Sequence, residues 1–316
     1  MTQAAATSFT TENSAVIAAL VETTKPRISR LVTITAVVGF AMAGLNRSWP
    51  PAELALNLLG CIVGTYLAAG GANALNMWME RRRDAEMERT ASRPLPTGRL
   101  SASSVAWFGF GIAIAGLAVL LTTVGLVPAV VAAACVVSYL ALYTPLKTVN
   151  PTATLAGAIP GALPPLIGWT AATPTAGWAG LMEAGGLSLF ALMFVWQLPH
   201  FFAIAWLYRD DYAKGGYRML PIIDRTGRLT AGTILATSAA LLPLTLLPAW
   251  AMPDLLGVGY LAVAVVSGLI YLALCARVWQ TRSRTDARRV FIASVIHLPV
   301  LLVAMVGEAF VSTMLA

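Results

Sequence analysis

The chain has 316 residues, of which 58% are hydrophobic and only 11% charged, with a mean hydropathy of +0.75. A soluble domain carries about a quarter charged residues, so a soluble globular enzyme is excluded. Lys and Arg number 21 against 14 Asp and Glu, a net charge of +7, but the sequence holds no polar domain on which they could form a nucleic-acid patch.

Residues 1–24 contain Glu12 and Glu22 and no basic residue before Lys25. They lack the basic n-region of a signal peptide and read as a flexible or weakly amphipathic tail. Residues 25–316 read as one transmembrane domain. A bilayer core takes roughly 20 apolar residues per helix. Nine such stretches follow, near 29–46, 54–78, 104–123, 126–144, 153–172, 186–208, 231–251, 255–279 and 290–312. The expected fold class is an all-α, polytopic membrane protein with nine transmembrane helices. Cys61, Cys135 and Cys275 lie inside apolar runs without metal or disulfide spacing, so they read as small buried hydrophobes.

Placing the N-terminus in the cytoplasm puts twenty of the 21 basic residues on that side and leaves only Arg47 outside. Basic loops stay cytoplasmic, and a miscount of spans would scramble the partition. The split therefore supports nine spans, a cytoplasmic N-terminus and an outside C-terminus.

Ten of the 14 carboxylates fall on the same side, seven of them in the loops after spans 2 and 6. Asn76, Glu80 and Asp84 are spaced i, i+4, i+8, which puts three hard oxygen donors on one helix face. Asp210 and Asp211 lie in the second loop. Mg2+ is typically held by one or two carboxylates while substrate phosphates complete its shell, so the two clusters read as metal ligands bridging a diphosphate. Lys147, Lys214, Arg89, Arg93 and Arg99 could neutralise the same anion. The fifth span contains Gly157, Pro160, Gly161, Pro164, Pro165 and Gly168 and is expected to be broken, either for close packing or to line a cavity. His297 reads as a packed polar residue and Glu308 as structural. His200 lies two to three turns before Asp210, on the cavity side of span 6.

These residues carry a resemblance. Asn76/Glu80/Asp84, followed by Arg89-Thr90 and Arg93-Pro94-Leu95-Pro96, resembles the N-x-x-x-D-x-x-x-D signature of the UbiA-type intramembrane prenyltransferases. Lys25-Pro26-Arg27, Tyr143-Thr144-Pro145-Leu146-Lys147, Trp196-Gln197-Leu198-Pro199-His200-Phe201 and Asp211-Tyr212…Met219-Leu220-Pro221 narrow it to the branch that modifies haem. Nine helices around a central cavity open to the cytoplasm and to lipid are then implied, in the plasma (inner) membrane. So are farnesyl diphosphate as donor, haem b as acceptor, Mg2+ as cofactor, and a product, haem O, whose hydroxyl comes from water. The next haem-modifying enzyme or an oxidase assembly factor is the partner implied beyond the bilayer.

By the same resemblance Asn76, Glu80, Asp84 and Asp211 are catalytic and, with Asp210, metal-binding. Lys25, Arg89, Arg93, Lys147, His200, Asp210 and Lys214 bind substrate, and His200 could meet the haem iron or a propionate. The sequence departs from the pattern twice: Glu80 stands for the middle Asp, and Leu207 stands one turn before Asp211 where the superfamily has another Asp. Trp196, Phe201, Phe202 and Trp206 are expected to shield an allylic cation from water. Other readings are the same scaffold acting on an aromatic quinone precursor, and a transporter. The latter would place charges near the midplane in inverted repeats, whereas here they crowd one rim.

Cysteines introduced at Ser92 and Ser283 should react with an impermeant thiol reagent only from the cytoplasmic side, and one at Thr175 only from outside. Labelling of the Ser92 position from outside would overturn the orientation.

Overall fold

The computed structural model describes residues 2–45, 47 and 49–315, with side chains from Asn13 onward. All regular structure among these residues is helical. The N-terminal half comprises α1 (Thr2–Thr23), α2 (Pro26–Gly44), α3 (Pro51–Glu86), α4 (Ala102–Thr123) and α5 (Leu126–Leu146). Next come α6 (Ala153–Ala162), α7 (Pro164–Ala171), α8 (Ala184–Leu207), α9 (Arg209–Lys214) and α10 (Leu220–Ile223). Helices α11 (Arg228–Ala251), α12 (Val258–Thr281) and α13 (Arg284–Leu315) close the fold.

Eight helices, α2 to α5, α8 and α11 to α13, are each long and apolar enough to cross a bilayer. The remaining expected span is the pair α6 and α7, broken at Leu163. Its glycines are used for close packing. A Cβ at Gly168 would lie 1.7 Å from the carbonyl oxygen of Ala36, and one at Gly39 would lie 2.0 Å from that of Pro165, so α7 and α2 touch backbone to backbone. On α6, Gly161 leaves room for the side chain of Gln197, whose Nε2 donates to Ala158 O at 2.9 Å and joins α8 to α6. Small residues also seat α3 on α4: Cβ atoms at Gly71 and Gly116 would come within 2.5 Å of the opposing backbone. Without a hydrophobic driving force between helices in lipid, such contact supplies the dispersion energy that holds the bundle.

The segment expected as a flexible or weakly amphipathic tail is helical. Its last turns are anchored because Ala19 is small enough to pack beside Ala74, Leu100 and Val105, while Glu22 pairs with Arg99 at 2.8 Å. Glu308 is structural as expected: it accepts the backbone N–H groups of Gly259 and Tyr260 and so caps the first turn of α12. At the same end of the bundle Glu183 accepts from Arg47 at 2.7 Å and from Trp169 Nε1 at 2.9 Å, tying α2 and α7 to the start of α8.

Gly168→Ala should destabilise the fold by about 1–3 kcal/mol, since overpacking at backbone contact has no flexible side chain to yield. Gly111→Ala, where nothing lies within 4 Å, should be neutral or stabilising by up to about 1 kcal/mol through helix propensity. Thermal unfolding in detergent compares the two; equal stability would refute the α2–α7 contact.

Candidate active site at the basic end of the bundle

Helix α3 runs 36 residues, about 54 Å at 1.5 Å per residue, so its last turns pass beyond the hydrocarbon core. Those turns carry the expected stripe, and Asn76, Glu80 and Asp84 are 1%, 7% and 1% exposed. Each buried oxygen has a cation from a different segment. Lys25, before α2, donates to Asn76 Oδ1 at 2.8 Å. Lys147, after α5, meets Glu80 Oε1 at 2.5 Å, and Arg93, in the loop after α3, meets Asp84 Oδ2 at 2.6 Å. Pairing is what allows such charges to be buried at all.

The local backbone is shaped to deliver these cations. Lys25 has φ 48° and ψ 66°, a left-handed conformation that costs a non-glycine residue roughly 1–2 kcal/mol. It is held there by Ser29 Oγ, which donates to Thr24 O at 2.7 Å and receives Asn73 Nδ2 at 3.1 Å. Burial, reinforced by repulsion from Arg93, lowers the Lys25 ammonium to a pKa of about 7. Helix α5 widens into a π-helical turn at Ser138–Tyr143, a feature common at functional sites. Just beyond that turn Thr144 Oγ1 accepts from Asn76 Nδ2 at 3.1 Å, and Lys147 lies 4.9 Å from the Tyr143 ring centre.

The loop after α8 closes over the stripe through a residue absent from the expected set. Tyr217 is buried and donates its hydroxyl to Glu80 Oε1 at 2.9 Å. Its ring lies between Arg83 and Lys147, at 5.8 and 5.4 Å. Burial and the neighbouring carboxylate raise the phenol well above its ordinary pKa, so Tyr217 stays a donor. Its place depends on Gly216, at φ 70°, and the Gly215-Gly216 pair before an aromatic was the sequence signal for it.

Other expected residues are placed differently. Asp211 accepts the backbone N–H groups of Glu88 and Arg89, at 2.8 and 3.4 Å, and so fastens the second loop to the first. Asp210 faces outward with an 85% exposed side chain and, among the described residues, forms an ion pair only with its neighbour Arg209, because α9 turns it away from α3. Lys214 pairs with Glu88 at 2.6 Å on the rim. Arg89 lies over Tyr208 and Tyr212, 5.2 Å from each ring centre. Arg99, expected to neutralise the anion, is instead held by Glu22. Of the expected aromatic wall, Phe202 and Trp206 are in the apolar core. His200 lies deeper, about two turns before the end of α8, with Nδ1 2.7 Å from Ser294 Oγ of α13 and its ring against Trp196 and Phe291.

Two carboxylates and an amide oxygen on successive turns form an all-oxygen donor set, the chemistry that suits Mg2+. Among the described residues no three His, Cys, Asp or Glu side chains converge on one point, so a cation here would need oxygens from a bound anion. The same rim provides five basic side chains, Lys25, Arg89, Arg93, Lys147 and Lys214, to receive that anion.

Comparison with known proteins identifies the family and the fold. A protoheme IX farnesyltransferase of Solibacter usitatus (strain Ellin6076) is 43% identical over 290 residues, covering 89% of this chain and 95% of the relative. Among solved structures, a digeranylgeranylglyceryl phosphate synthase superposes with a TM-score of 0.74 at 16% identity, covering 93% of this chain and 98% of the other. A UbiA homologue from Archaeoglobus fulgidus, bound to GPP and Mg2+, superposes with a TM-score of 0.62 at 14% identity, covering 94% and 99%. Residues 32–296 match the family described as the UbiA prenyltransferase family, to which the chain belongs.

Proposed function

We propose that the chain transfers a farnesyl group from farnesyl diphosphate to a vinyl group of haem b, giving haem O, in the plasma membrane with its basic loops in the cytoplasm. The observation that carries the reading is the buried stripe of Asn76, Glu80 and Asp84 with a separate cation on each oxygen. The acceptor is supported by the 43% identity to a protoheme IX farnesyltransferase. Product transfer to a later haem-modifying enzyme or to an oxidase assembly factor belongs to the same proposal.

Asn76, Glu80 and Asp84 would hold Mg2+ together with the diphosphate, while Asp211 keeps the second loop fastened to the first through the amides of Glu88 and Arg89 and Asp210 stays at the surface. The chemistry that bound Mg2+ supplies there is neutralisation of the leaving group. Lys25 turns from the Asn76 amide, and Lys147 and Arg93 from the carboxylates, toward the diphosphate oxygens, while Arg89 and Lys214 add charge at the rim. Tyr217 keeps Glu80 oriented through its hydroxyl. The farnesyl chain runs toward the apolar interior, where Trp196 and Phe201 face the allylic cation. His200 serves the acceptor side, below the charged rim.

Asp84→Asn and Glu80→Gln should each lower turnover by roughly a hundredfold or more, comparable to losing one transition-state donor. Glu80→Asp withdraws the carboxylate from Lys147 and Tyr217; at about 1 kcal/mol for each of the two net hydrogen bonds the loss should be roughly thirtyfold. Farnesylated haem formed in vesicles at limiting Mg2+ measures both, and wild-type turnover by Asp84→Asn would overturn the metal assignment.

Lys25 gives a pH test. Its pKa of about 7 means that the free protein must take up a proton above that pH to offer an ammonium, and a bound diphosphate favours the charged form. Diphosphate affinity should therefore fall as pH rises above 7 and stay level below it with respect to this group. Lys25→Arg, charged throughout, should remove that fall. Equal pH profiles for the two proteins in pyrophosphate binding would refute the role of Lys25.

A further inference from the structure

Helices α8, α12 and α13 contain a line of polar side chains that the diphosphate site does not use. His297 of α13 is 4% exposed, and both of its ring nitrogens are buried without a hydrogen-bond partner in the protein. The ring stacks on Tyr271 of α12, with centres 5.3 Å apart and planes 13° apart, which leaves both nitrogens at the edge of the stack. The Tyr271 hydroxyl lies close to Ser294 and Cys275 but forms no well-shaped hydrogen bond to either. Ser294 stands three residues before His297 on α13, and its Oγ is the partner of His200 Nδ1.

Three orphaned polar atoms in the interior of a membrane domain carry a large desolvation cost. Internal water is the ligand that relieves it, since a buried water takes two to four polar partners. A water takes one nitrogen of His297, and the Tyr271 hydroxyl and Ser294 Oγ are further partners in the same region. The hydrogen bonds at Ser294 then fix the tautomer of His200. Ser294 Oγ donates to Phe291 O at 2.6 Å, so its proton is committed, and the 2.7 Å contact requires His200 Nδ1 to be the donor. The lone pair of His200 is thereby placed on Nε2.

We propose that His297, Tyr271 and Ser294 enclose a store of internal water on the Nδ1 side of His200, that this store feeds the acceptor end of the reaction, and that Ser294, by accepting from Nδ1, leaves Nε2 to take a proton from the water that becomes the product hydroxyl. The inference rests on the haem farnesylation proposed above. The allylic C–O bond breaks, and diphosphate leaves with the electron pair. The outer vinyl carbon bonds to C1 of the farnesyl group, which leaves a cation on the inner vinyl carbon. A water oxygen bonds to that carbon and one of its protons passes to Nε2. One water is consumed and no oxidant is needed. Without a delivered water the same cation sheds a carbon-bound proton to the departed diphosphate and becomes an alkene, lighter than the alcohol by one water.

The test uses the full chain in vesicles with farnesyl diphosphate, haem b and Mg2+, and reads the alcohol-to-alkene ratio by mass spectrometry. In Ser294→Ala and in His297→Phe the ratio should fall by roughly a hundredfold, the lower range for a positioned base. Farnesylated haem with an unchanged ratio in both variants overturns the water site alone. Wild-type vesicles that release diphosphate yet farnesylate no haem overturn the acceptor assignment instead. A map of the wild-type protein that resolves ordered water provides a reading independent of variant folding. Density within hydrogen-bonding distance of His297 supports the site, and its absence overturns it.

Discussion

A buried carboxylate at the edge of a membrane must be neutralised where it stands, and that requirement organises one end of this molecule. Asp84 and Glu80 cannot be hidden from water unless Arg93 and Lys147 come to them. The partners arrive from segments far apart in sequence, so meeting the demand fixes the loop after α3 and the end of α5 at once. Even the strained backbone at Lys25 follows from it, because a left-handed residue is how a chain descending into α2 can aim a lysine at Asn76.

The packing beneath the rim gives this arrangement a rigid base. Helix α3 is pressed to α4 along small residues, and α2 to α7 at Gly168 and Gly39. Large side chains there would separate the backbones and carry the stripe away from its cations. The C-terminal helices differ. They are joined across Ser294, His200 and Trp196 by polar contacts, and their orphaned groups need something other than protein to satisfy them. A half seated backbone to backbone beside a half joined through polar side chains is a sensible division for a site that must bind one charged substrate and one flat, largely apolar one.

Much of this was legible in the residues. The 3.6-residue period put Asn76, Glu80 and Asp84 on one face, and prolines with glycines announced the break at Leu163. Periodicity says nothing, however, about which distant segment meets a face. That is why Arg99 was assigned to the anion although Glu22 takes it, and why Asp210 was grouped with Asp211 although the turn of α9 points it outward. Tyr217 was overlooked because its burial depends on a glycine φ two bonds away rather than on spacing. The helix ending at Thr23 stands where the sequence offers a flexible or weakly amphipathic tail, since its packing rests on a few side chains, Ala19 and Leu20 beside Ala74 and Val105 and Glu22 on Arg99.

The link from Asp211 to the amides of Glu88 and Arg89 has a mechanical meaning. A carboxylate that accepts two backbone donors behaves as a short, stiff strut, so the loops after α3 and α8 are mechanically one flap rather than two. Anything that lifts one lifts the other. Opening the mouth of the cavity would then carry Arg89 and Lys214 outward together, taking positive charge away from the spent diphosphate in the motion that frees its exit.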